Sequence, residues 1–202
     1  MKKLVSIISL LAISTVVFAQ NKAQTYIDKM QNKFKSAGAF SANFSYQNDG
    51  GGAMSGSITV KGNKFRLKTV GQEIFNNGKE VATYVKEINE VNISNFDPSE
   101  GDLSPAKIYS FDKKSYKSNL LSDTGNLAVI EMQPTAKNVQ VQKITMKLDK
   151  ASNEVREWTI QNKNGKKQNF KVTKLNLKIA VEDKTFNFDK KAYPGVEVND
   201  LR

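Results

Sequence analysis

Ser104 and Lys107, within Ser104-Pro105-Ala106-Lys107, have the spacing that could support covalent chemistry. In an S-x-x-K pattern the lysine amine can take the serine proton, leaving an oxygen able to attack an acyl carbon. Enzymes built this way carry two companion motifs, S-D-N and K-T-G. The nearest matches here are Ser122-Asp123-Thr124 and Lys163-Asn164-Gly165, and both depart from the pattern. That enzyme fold also needs a much longer chain than 202 residues, so we read the coincidence as chance and the chain as a non-enzyme. His and Cys are both absent. Their absence removes Ser-His-Asp and Cys-His nucleophiles and nearly all zinc sites. Asp97 and Glu100 are paired acids, but they fall in a polar loop where solvent exposure accounts for them. No catalytic residue, metal, cofactor or nucleic-acid partner is expected.

The segments around these residues give the chain its place and its frame. Lys2 and Lys3 precede an apolar run from Leu4 to Phe18 that closes on Val17-Phe18-Ala19. This pattern predicts a signal peptide over 1–19, too short for a membrane-spanning helix and followed by polar Gln20-Asn21-Lys22. No Cys is available for an N-terminal lipid, so the expectation is export and release into a bacterial periplasm. Residues 20–202 have even composition and no linker, which predicts one domain. Net charge falls from +11 to +9 without Lys2 and Lys3, and the lysines are spread as on a solvated surface. Without disulfides, packing and strand pairing must supply the stability.

One helix precedes many strands. Ala23, Tyr26, Ile27, Met30 and Phe34 recur at helical spacing over 23–35, and Gly38 ends the run. From Phe40 the period becomes two: Phe40, Ala42, Phe44 and Tyr46 alternate with Ser41, Asn43, Ser45 and Gln47. Strands are then predicted at 58–60, 65–67, around 74, at 81–85, 91–93, around 116, and at 127–132, 139–148, 155–160, 169–181 and 185–188. Asn77-Gly78 marks a hairpin, and the apolar phase slips between Val172 and Leu175 as at a bulge. Between the halves, Pro98 to Pro105 reads as a loop, with either a short helix capped by Ser104 or a packed loop running on to Phe111. Roughly ten antiparallel strands with so little helix must curl, filling the apolar face with side chains or leaving a cavity under helices.

The order of several phrases resembles the LolA family of periplasmic lipoprotein carriers. These are Phe40-Ser41-Ala42-Asn43-Phe44, Gly56-Ser57-Ile58-Thr59-Val60-Lys61 running into Lys64-Phe65-Arg66-Leu67, Ile74 through Asn77-Gly78-Lys79 to Tyr84, and the tail Pro194 to Arg202. The resemblance implies a mainly β fold with few helices, an incomplete, unclosed antiparallel β-barrel lidded by short α-helices. It implies a chaperone that shields the acyl chains of outer-membrane lipoproteins in an apolar cavity. Such a carrier takes cargo from an inner-membrane lipoprotein-releasing ABC transporter and gives it to an outer-membrane acceptor, as a monomer. By family position the cavity residues are Met30, Phe34, Phe44, Phe65, Leu67, Ile74, Ile108 and Phe111, each of which could equally be plain core. The alternative is a periplasmic lipid-binding or lipoprotein-sensing regulatory module of the same fold. Where relatives carry an Arg after the strand Lys, this chain has Gly62 after Lys61, which leaves control of the lid open.

Overall fold

The computed structural model describes residues 22–97 and 105–202, so the expected signal peptide and Ser104 lie outside the described residues. Helix α1 spans 22–37, slightly longer than its apolar stripe. Ala23, Ile27, Met30 and Phe34 recur every three or four residues and are all buried, as a helix with one dry face requires. Gly38, at φ 71°, ends α1 by donating its N–H to the Lys35 carbonyl.

Among the described residues twelve strands follow: β1 (Ala39–Asn48), β2 (Met54–Lys61), β3 (Lys64–Lys68), β4 (Gln72–Asn76), β5 (Glu80–Val85), β6 (Glu90–Asn95), β7 (Tyr116–Thr124), β8 (Leu127–Pro134), β9 (Val141–Asp149), β10 (Glu154–Asn162), β11 (Lys167–Leu177) and β12 (Glu197–Asp200). Their hydrogen-bonding order is β12-β6-β5-β4-β3-β2-β1-β11-β10-β9-β8-β7, an unclosed sheet. β12, which strand patterning did not predict, runs parallel to β6 and breaks the otherwise antiparallel expectation. The described residues fall into two compact units, one within 22–32 and 112–167, the other within 33–111 and 168–202.

In the first unit β7 to β10 form a meander with one dry face. Met132 pairs with Ile144, Ile130 with Met146 and Ala128 with Leu148; Ile144 then pairs with Ile160 and Met146 with Trp158. All of these side chains are buried. The other face is laced by Lys143–Glu131 at 2.9 Å and Lys147–Glu157 at 2.7 Å.

In the second unit the expected bulge is present: Asn43 pairs with Lys174 but Phe44 with Val172, so Thr173 is extra. The short helix weighed for 105–111 is replaced by turns, with Ser110 N–H on the Lys107 carbonyl. So short a segment gains too few helical bonds to offset nucleation, and the turns instead bury Ala106, Ile108, Tyr109 and Phe111. The strand expected at 185–188 is also absent. A 3-10 turn, Asp183–Phe186, stands there, with Phe186 fully buried and Asn187 N–H bonded to Lys184 O.

Candidate functional site

Cross-strand register builds a continuous surface across the second unit, because residues paired in a ladder share a face. One row runs Leu177, Phe40, Val60, Phe65, Asn76, Val81, Ser94. The next runs Leu175, Ala42, Ile58, Leu67, Ile74, Thr83, Asn92, Asn199. Both rows are apolar as far as β3. On β4 the first turns polar at Asn76, while the second stays apolar through Ile74 and turns polar from β5.

Four of the residues expected from the sequence, Phe44, Phe65, Leu67 and Ile74, lie together on this face. Phe44 and Leu67 are buried, whereas Phe65 and Ile74 are partly exposed. Phe34, near the end of α1, packs its ring 4.9 Å from Phe40 and 4.1 Å from Tyr109, and Tyr109 in turn lies 5.0 Å from Phe40. Helix end and turn segment thus close over the Phe40 end of the face. Ile108 and Phe111, in the same segment as Tyr109, are buried. Met30 is fully buried on α1, in the first unit. Toward the other end the face is more open: Tyr46 and Phe170 stack at 6.2 Å, each about 6 Å from Phe44, and both are partly exposed.

The opposite face of β4 to β6 has its own core, which the sequence reading missed. Phe75, Ala82 and Val91 are covered by Val196, with Tyr84, Ile93, Phe188 and Tyr193 packed around them. Consecutive apolar residues, Ile74-Phe75, Val81-Ala82 and Tyr84-Val85, were its signal, since a strand dry on both faces loses its alternation. Polar anchors hold the covering strap. Tyr193 donates its hydroxyl to Glu73 at 2.7 Å, and Glu73 also receives Arg66 at 2.5 Å and Lys68 at 3.1 Å. Burial pushes the Glu73 carboxyl up, but the bonds from Tyr193, Arg66 and Lys68 outweigh it and hold it below the usual range. Burial and Glu73 together raise the Tyr193 phenol to about 12. Asp183 bridges Lys61 at 2.8 Å and Lys64 at 2.7 Å, which lowers its carboxyl to about 2.

A groove of about 480 Å³ opens where β3 ends at Lys68 while β2 runs on to Met54. Asn43, Ser55, Ser57, Lys68 and Thr69 make it largely polar, and Phe44 is the one expected cavity residue that reaches it. The S-D-N-like segment is occupied otherwise: Asp123 accepts from Lys22, from Tyr26 at 3.1 Å and from Lys150 at 2.7 Å. Ser122 bonds Thr124 at 3.1 Å, and Lys163 Nζ donates to the Lys137 carbonyl.

No curated protein matches the sequence. Among solved structures, an uncharacterized conserved protein from Thermus thermophilus is similar with TM-score 0.62 at 12% identity, over 89% of this chain and 99% of that one. A putative outer membrane lipoprotein-sorting protein domain from Vibrio parahaemolyticus gives TM-score 0.51 at 16% identity, covering 86% and 99%. At such identities these neighbours show the fold. Residues 35–189 match the family model described as outer membrane lipoprotein carrier protein LolA, a stretch that takes in the apolar rows, the turn segment over them and Glu73 with its cations; the chain belongs to that family.

Proposed function

We propose that this protein is a periplasmic lipoprotein chaperone, carrying acylated lipoproteins from an inner-membrane lipoprotein-releasing ABC transporter to an outer-membrane acceptor. Residues 1–19 would direct export, and 20–202 would act as a single carrier domain, monomeric and without catalysis. The observation that supports this reading most is the continuous apolar face of β1 to β4, closed at one end by the Phe34 and Tyr109 rings rather than by a second sheet. Rings on a helix end and on a turn segment can move aside without breaking a strand ladder. The physical need is clear: one acyl chain of ordinary length exposes apolar surface worth on the order of 10 kcal/mol, at about 0.8 kcal/mol per methylene. In the carrier state Phe34, Phe44, Phe65, Leu67, Ile74, Ile108 and Phe111 would contact the acyl chains.

Spheroplasts of the host test the proposal. Added protein should release newly made lipoproteins as a soluble complex, and a Phe34→Asp, Ile108→Asp variant that still folds should release none. Lipoproteins that leave the membrane equally well without this protein would return the reading to a lipid-binding or lipoprotein-sensing module.

A further inference from the structure

The rows of the Phe44 face change character along their length: the second turns polar beyond β4, and the first carries Asn76 and Ser94 on either side of Val81. From β1 to β4 the second row reads Ala42, Ile58, Leu67, Ile74, and beyond it Thr83, Asn92 and Asn199. Three interstrand steps of about 4.8 Å put roughly 14 Å between Ala42 and Ile74. The neighbouring row changes at Asn76, after Phe40, Val60 and Phe65. These polar residues are neutral, so they offer hydrogen bonds without charge.

Asn76 is fully buried, and its side-chain carbonyl accepts the Gly78 N–H at 2.7 Å within the hairpin turn. That bond fixes which end of the amide is which. Among the described residues its Nδ2 is then buried with no hydrogen-bond partner. A buried donor left unmade is unfavourable, and such a group in a folded protein calls for a reason. Phe65 and Val81, which flank Asn76 in its row, and Ile74, Thr83, Asn92 and Ser94 on the same face are all partly exposed, so a ligand that moves the flanking side chains aside reaches the amide.

We propose that Asn76, with Thr83, Asn92 and Ser94, forms a polar subsite that hydrogen-bonds the ester carbonyls at the glyceryl head of a diacylated ligand, whose chains lie on the apolar rows. The subsite rests on the carrier reading and gives it an orientation: chains toward β1, head toward β6. A donor that is unpaired in the empty protein and paired in the loaded one favours acyl esters over plain hydrocarbon.

The test compares two synthetic lipopeptides with the same peptide and chain length, one a dipalmitoyl diester and the other the dihexadecyl diether, which lacks both carbonyls. Titrated into the full mature protein, the diester should bind about fivefold more tightly for each carbonyl hydrogen bond. Asn76→Ala should shrink that ratio. Because Asn76 also holds its turn, Thr83→Val is the second variant; it removes one hydroxyl at nearly constant volume and should shrink the ratio without loss of fold. Equal affinities in the unmodified protein, or a ratio that neither variant moves, overturn the subsite and leave the carrier standing. Failure of both lipopeptides to bind overturns the carrier reading and the subsite with it.

Discussion

A methyl group on Gly56 would lie 2.4 Å from Phe44 Cζ and 2.9 Å from the Lys68 carbonyl, so the Phe44 ring rests on a surface only glycine provides. Gly56→Ala is therefore expected to lose about 1 to 3 kcal/mol in urea unfolding, the range for overpacking. Phe44→Leu in the same chain should recover part of that loss, and strictly additive losses would show that the ring does not bear on Gly56. Gly62 is different. It has open space around it but sits at φ 57° in the β2–β3 turn, where any side chain costs about 1 to 2 kcal/mol. By resemblance, Gly62 stands where relatives carry an Arg; in the structure its conformation is what the turn needs, and the flanking Lys61 and Lys64 grip Asp183. Residue types alone do not reveal φ, so this need of the turn was not legible in the sequence.

Elements with a period were legible, and elements without one were not. The α1 stripe, the alternation of β1 and the slip at Thr173 each follow from spacing, and the structure has all three. The strap from Asp183 to Val196 consists of short 3-10 turns, Asp183–Phe186 and Lys190–Ala192, whose apolar residues repeat at no fixed interval. Its place is set by distant partners, Phe75, Tyr84 and Glu73, which no local pattern encodes. Phe75→Ala should accordingly cost about 3 to 5 kcal/mol, as for a buried aromatic, and the partly exposed Phe170→Ala distinctly less. Comparable losses in chemical denaturation would mean that the Phe75 cluster is not an independent core. At the other end of the chain, Lys22 and Tyr26 fasten the start of α1 to Asp123, while Asp28 meets Lys113. Asp123→Ala should raise hydrogen exchange over 22–30 relative to β9, and unchanged exchange would show that packing of Ala23 and Ile27 suffices to hold the helix.

At the scale of the whole molecule, the two faces of one sheet are covered by different groups, and each can be disturbed alone. An apolar dye bound to the Phe44 face should be lost with Phe65→Asp and kept with Thr59→Asp, because Thr59 pairs with Arg66 on the opposite side. Acid should act on the strap instead. Glu73 is held below its ordinary value of 4.5, and Asp183 is lowered from 3.8 to about 2. A carboxylate whose folded value is depressed stabilises the fold above its unfolded value and loses that contribution as pH falls through the folded one. Between neutral pH and 4.5 the strap should therefore stay fixed; below it, protonation of Glu73 weakens its ion pairs with Arg66 and Lys68, and protonation of Asp183 frees Lys61 and Lys64. Hydrogen exchange over 183–200 should rise in that window while β8 and β9 stay protected. In Glu73→Gln the pairing with Arg66 and Lys68 is already lost at pH 7, so strap exchange should start higher and change less on acidification. A strap that loosens equally in both proteins would show that Asp183 and the aromatic packing, rather than Glu73, set its acid response.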